Sequence, residues 1–256
     1  MRDNFPYDAH MHTRFSDGRN DAEEMVRAAE ACGLSCIALT DHLFPSTPQG
    51  TLLQWVREAE RLDAGSPVKV LAGVEGVILD TEGCVSVDAR AAAAVKVVLV
   101  DLGSLTRGIA SDPPANSQRF EERVCAAIAN AASNPVVDAI AHPFNLGRFG
   151  AVLSPAQFSR SNLRRVARAM AEANVAFELM NQMPWWYPQM SVRDFTSEYA
   201  FLLRVFSNEG VKFIVGSDAH SCCGVGNLHY CATLMREAGI EMSQLVDLER
   251  MAAARR

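Results

Sequence analysis

Short β-rich runs alternate with longer stretches whose apolar residues recur three and four positions apart, which is the signature of an α/β fold. Seven runs read as strands: Tyr7–His10, Cys36–Thr40, Lys69–Val74, Val95–Val100, Asp138–Ala141, Ala176–Leu179 and Lys212–Gly216. Between them Ala22–Cys32, Leu52–Leu62, Arg119–Ala132, Leu163–Ala173 and Thr196–Glu209 have helical composition and spacing. Asp21 and Asp88 stand where helix N-caps belong, the latter ahead of a short helix over Ala89–Ala94, while Gly33 and Gly210 stand where helices stop. Two more helices, near Asn227–Glu237 and Ser243–Ala254, close the chain. No linker, repeat or low-complexity tract divides this pattern, so residues 1–256 read as a single domain. A parallel α/β barrel has roughly this size.

Composition narrows the class. Hydrophobic residues make up 49% and charged residues 21%, and the most apolar stretch, Ala91 to Val100, is too short to span a bilayer and contains Lys96. The first residues lack the apolar core of a secretory signal, so the sequence reads as cytoplasmic and without a membrane partner. Its seven cysteines (32, 36, 84, 125, 222, 223 and 231) include no C-x-x-C pair, which argues against a disulfide framework. Cys222 and Cys223 follow His220 but read as small loop or core residues rather than ligands. A net charge of −6 argues against a chain that coats nucleic acid, since that binding rests on phosphate neutralisation. The basic run Arg160, Arg164, Arg165 and Arg168 reads as the solvated outer face of a helix, away from any site.

Candidate chemistry collects where predicted strands end. His10-Met11-His12, Asp41-His42 and Ser217-Asp218-Ala219-His220 hold four of the six histidines. Histidine and aspartate supply nitrogen and oxygen ligands for Zn²⁺, Mn²⁺ or Fe²⁺, and two ligands one residue apart on an extended strand point the same way. The third strand ends before Glu75, the fifth before His142, and the sixth meets Glu178. A parallel barrel carries its chemistry at these C-terminal strand ends.

Six segments together resemble the PHP family, named for polymerase and histidinol phosphatase domains, over nearly the whole chain. They are His10-Met11-His12-Thr13-Arg14-Phe15-Ser16-Asp17-Gly18, Leu39-Thr40-Asp41-His42, Gly73-Val74-Glu75, Ala141-His142-Pro143, Phe177-Glu178-Leu179 and Gly216-Ser217-Asp218-Ala219-His220. The resemblance implies a distorted (β/α)7 TIM-like barrel with two or three divalent ions, Zn, Mn or Fe. It implies a first ion held by His10, His12, Glu75 and Asp218, a second sharing Glu75 and taking His142, and a third held by Asp17, His42 and His220. A bridging carboxylate holds two cations about 3.5–4 Å apart and lets them share a hydroxide nucleophile. The family supplies a further histidine to the second ion after the fourth strand, yet no histidine lies between His42 and His142 here. Alignment puts the missing ligand at Leu102; a register shift would make Asp101 an oxygen ligand in its place, and a weakened or water-completed site is the alternative.

Around this set, Asp41 and Glu178 are expected to support the ligands, Asp41 by accepting the second N–H of a histidine. Arg14, Arg19, Arg107 and Arg148 are candidates for holding phosphate, Trp185 and Trp186 for stacking on a substrate ring, and His229 reads as structural. Glu75, Asp218 and Arg148 are the expected catalytic residues. The implied activity is hydrolysis of a small phosphorylated metabolite or nucleotide by a metal-bound hydroxide. Three divalent ions would outweigh the ligand carboxylates Asp17, Glu75 and Asp218, so the mouth would attract phosphate despite the acidic chain. An exonuclease acting on nucleic-acid ends and a catalytically impaired phosphate-binding descendant are the alternatives.

Overall fold

Val97, Val98, Leu99 and Val100 are all fully buried, and a run buried on both faces belongs in a parallel sheet covered by helices. The computed structural model describes residues 5–147, 149 and 153–255 and has that architecture. Its strands are β1 (Tyr7–Asp8), β2 (Cys36–Leu39), β3 (His42–Leu43), β4 (Lys69–Val77), β5 (Val97–Asp101), β6 (Ala139–Ile140), β7 (Ala176–Met180) and β8 (Phe213–Gly216). They pair in parallel in the order β1-β2-β4-β5-β6-β7-β8, with β3 a second short partner of β4. The helices are α1 (Ala22–Cys32), α2 (Gln49–Asp63), α3 (Ala89–Ala94), α4 (Ser117–Ala132), α5 (Arg160–Ala173), α6 (Val192–Asn208), α7 (His229–Ala238) and α8 (Leu248–Ala254).

Backbone bonds join the first strand to the last. Ala9 N–H donates to Val215 O at 3.0 Å, Asp218 N–H to His10 O at 2.9 Å and His12 N–H to Ala219 O at 2.9 Å. With β2 and β3 taken as one broken strand, this is the distorted seven-position barrel that the sequence implied. Among the described residues, no helix is long and apolar enough to cross a membrane.

Local chemistry explains the element ends. Asp21 caps α1 by accepting the Glu24 N–H at 2.9 Å, the Glu24 carboxylate accepts the Asp21 N–H at 3.1 Å, and Gly33 ends the helix at φ 75°. The predicted second strand breaks at Thr40-Asp41. There Met11 N–H donates to the Thr40 hydroxyl at 3.1 Å rather than to a carbonyl, and the ladder resumes only as β3. The third predicted strand runs on to Val77, so Glu75 lies inside β4 opposite His42 instead of beyond a strand end. The predicted last helix divides because Val246 N–H donates to Phe213 O at 2.7 Å, and Asp247 then caps the shorter α8. On the outer wall, Arg164 and Arg168 both pair with Glu209, at 2.6 and 2.9 Å.

Candidate metal centre

Strand alternation puts Asp8, His10 and His12 on one side of the chain, and the barrel turns that side inward. Two other contributors sit on unusual backbone, with φ of 30° at His142 and 54° at Asp218. Left-handed backbone at non-glycine residues costs energy and collects at functional sites. The result brings His10, His12, His42 and His142 together around Glu75, with His220 stacked on His12 beyond them. His229 is exposed at the start of α7, apart from this cluster.

The donor spacing tests whether ions fit. His10 Nε2 and His12 Nε2 are 3.0 Å apart, with Glu75 Oε2 at 3.4 and 3.5 Å from them and Asp218 Oδ1 at 3.6 and 3.2 Å. Four donors bound tetrahedrally to one zinc-sized ion stand about 3.3–3.4 Å from one another. The fit is close. The other Glu75 oxygen, Oε1, lies 3.0 Å from His142 Nε2, and Asp101 completes a compact group with these two. Nearer the surface, Asp17 Oδ2 is 3.5 Å from His42 Nε2 and 3.3 Å from His220 Nε2. His12 Nδ1 joins that group 3.8 Å from Asp17 Oδ1, buried and without a hydrogen-bond partner. With Nε2 turned to the inner donors, this ring nitrogen is left to face the Asp17 carboxylate. Cys222 and Cys223 belong to none of these groups.

The charges reinforce one another. Burial alone would push the His42 imidazole down, but Asp17 and Glu75 hold it up at about 10. His10 is likewise raised against its own burial by Glu178, Glu75 and Asp218. Hydrogen bonds from His220 and His42 hold the Asp17 carboxyl well below its ordinary range. Burial raises Glu75 and Asp218, yet the surrounding imidazoles bring both below that range.

Glu178 fixes two ligands at once. Its Oε1 accepts from His10 Nδ1 at 2.8 Å and its Oε2 from the His142 backbone N–H at 2.7 Å. Donation from Nδ1 leaves the Nε2 lone pair of His10 aimed at Glu75 and Asp218. Gly216 makes room for this, because a Cβ there would overlap the Glu178 carboxylate and lie 2.6 Å from His10 Cβ. Gly216→Ala is therefore expected to weaken metal binding about 10–100-fold, as loss of an outer-shell contact does. Calorimetric titration with Zn²⁺ checks it, and unchanged affinity would refute this role.

Asp41 departs from expectation. Its carboxylate accepts from Thr13 N–H at 2.8 Å, Thr13 Oγ1 at 2.8 Å and Ser16 Oγ at 2.6 Å, so it shapes the loop that carries Asp17 instead of steering a histidine ring. Asp8 is the residue that sequence reasoning missed. Fully buried, it accepts from Ser217 N–H and Gly226 N–H, both at 2.9 Å, and so anchors the segment bearing Asp218 and His220 beneath His10. Its place two residues before His10 was the available signal.

The arginines divide. Arg148 lies outside the described residues. Arg107 pairs with Asp80 at 3.0 Å, and Arg14 Nε donates to Arg19 O at 2.8 Å, so both guanidiniums brace loops. Arg19 is exposed beside the outer group, its backbone N–H donating to His220 O at 2.9 Å. Trp186 packs partly into the core while Trp185 is 80% exposed. Tyr199 Oη donates to Pro143 O at 2.9 Å and Tyr187 Oη to Phe144 O, which pins the His142 loop to α6 and to the residue after Trp186.

The PHP domain profile matches residues 8–230. The chain belongs to the PHP domain family. A protein named "Probable phosphatase" from Thermoanaerobacter sp. (strain X514) is 30% identical over 237 residues, covering 91% of this chain and 86% of that relative. One of the same name from Vibrio vulnificus (strain YJ016) is 28% identical, covering 93% and 87%. The histidinol phosphate phosphatase of Lactococcus lactis, solved with zinc, L-histidinol and phosphate, superposes at a TM-score of 0.66 and 19% identity, covering 92% of this chain and 94% of its own. At that identity the superposition speaks for the fold. This PHP protein is a hydrolase of phosphate ester bonds.

Proposed function

We propose that this PHP protein is a metal-dependent phosphatase or phosphodiesterase acting on a small phosphorylated metabolite or nucleotide. The observation that carries the reading is one buried carboxylate, Glu75, facing His10, His12 and His42 through Oε2 and His142 through Oε1. In this reading His10, His12, Glu75 and Asp218 hold one divalent ion, Glu75 and His142 a second, and Asp17, His42 and His220 a third, drawn from Zn, Mn or Fe. Such ions lower the pKa of bound water and neutralise charge developing on phosphate oxygens.

The residues around them divide the remaining work. Glu178 keeps the proton of His10 on Nδ1, and the Asp218 carbonyl, 3.0 Å from His220 Nδ1, does the same for His220, so each Nε2 stays free to bind. The inner pair is sealed, whereas the Asp17 and His220 side chains are 55% and 40% exposed, so phosphate approaches from the outer group. Arg19 stands on that side, and Trp185 offers an open ring face to a base, an imidazole or a sugar.

The test is a screen of chelated protein reloaded with Mn²⁺, Zn²⁺ or Fe²⁺ against phosphomonoesters, nucleotides and a labelled oligonucleotide. Phosphate release from small esters, restored only by metal, is expected. No ester or diester cleavage with any ion would overturn the proposal, and shortening of the oligonucleotide alone would favour the nuclease reading.

A further inference from the structure

We infer that Asp101 is a ligand of the second ion, and that its oxygen makes this position prefer a manganese-like ion while the nitrogen-rich positions keep zinc. The inference rests on the metal-dependent reading above.

Register carries the first step. Glu75 and Val77 are two residues apart on β4 and share a face; Val77 is paired with Asp101 on the parallel neighbour β5, so Asp101 shares it too. Leu102, where the sequence alignment put the missing ligand, falls on the opposite side. Asp101 is only 4% exposed, its carbonyl accepts the Ile78 N–H at 2.8 Å, and a carboxylate oxygen lies within 4.8 Å of ligand atoms on both Glu75 and His142. Gly103 leaves space beside it, since a Cβ there would stand 3.1 Å from Asp101 Oδ1.

Donor chemistry carries the second. An ion held by Glu75, Asp101 and His142 has two oxygens and one nitrogen from the protein. The inner position instead gathers two imidazoles with two carboxylates, and the outer one the imidazoles of His42 and His220 with Asp17. Oxygen ligands suit Mn²⁺, and imidazoles suit Zn²⁺. A carboxylate in place of a neutral imidazole also adds a negative charge, which strengthens attraction to any divalent ion there.

The experiment loads chelated full-length protein with Zn²⁺ and Mn²⁺ together, counts both metals after desalting, and follows Mn²⁺ by electron paramagnetic resonance. Wild type is expected to hold Mn²⁺ alongside Zn²⁺. Asp101→Ala should bind one ion fewer and lose Mn²⁺ affinity by more than about 100-fold, beyond the loss of an outer-shell partner. Asp101→His should keep the ion count but exchange that Mn²⁺ for Zn²⁺, which also shows that the site still folds. Unchanged ion count and Mn²⁺ affinity in Asp101→Ala would overturn the inference, as would Asp101→His with the wild-type Mn:Zn ratio. If wild type releases phosphate only with metal while either of those results holds, this inference alone fails. If wild type binds no ion, the metal-dependent reading falls with it.

Discussion

Glu75→Gln is expected to lower phosphate release by on the order of 10³-fold, because metal stabilisation of charge in the transition state is worth several kcal/mol. The glutamine keeps the shape of the side chain but replaces one oxygen with a donor N–H₂ group, which cannot ligate an ion. It also loses the charge that faces His10, His12, His42 and His142 within 3.5 Å. Both inner ions share this residue in the proposed assignment, so metal analysis should find the chain short of more than one ion. Asp218→Asn touches only one of them and should cost less. Full ion content and near-normal turnover in Glu75→Gln would remove the bridging role.

The second large effect is on the chelated protein and its dependence on pH. The folded-state value of His42, about 10, lies above its ordinary 6.5, so the stability it contributes is fully present below about pH 6.5 and is lost as pH rises through 10. Raised values at His10 and His220 act in the same direction, and the lowered His12 opposes them. Asp17, Glu75 and Asp218 are depressed; their contribution is present above about pH 4.5 and is lost as pH falls through their folded values. Urea unfolding of chelated protein should therefore be most favourable to the fold near pH 5–6 and weaken by several kcal/mol towards pH 10. A flat profile over that range would mean that the imidazoles are not held charged. The same protons must leave when an ion enters, so metal binding at pH 7 should release at least about one proton per chain, measurable by calorimetry in buffers of different ionisation heat.

Much of this was legible in the sequence because strand alternation and short ligand motifs are local. The pair His10 and His12, the helix α1 with its Asp21 cap, and the placement of His142 and Asp218 just past strand ends needed only neighbouring residues. What escaped depends on partners far along the chain. The break at Thr40 arises from a hydroxyl taking the Met11 N–H, the role of Asp41 is set by Thr13 and Ser16, and Asp8 acts on Ser217 and Gly226. The face on which Asp101 lies needed the pairing of β5 with β4. Arg107 looked available to a ligand because nothing in its surroundings announced Asp80, 27 residues away.

The seam between β1 and β8 has a kinetic consequence. Asp8 and Ser217 meet across 209 positions, so the inner donors come together only when the chain makes one of its longest-range closures. Contacts of that range form slowly, because the entropy of closing the loop is lost before any contact rewards it. Opening the seam separates His10 and His12 from Asp218, so an ion seated there would act as a latch on the barrel. Its escape rate would then report how often the two ends of the chain part.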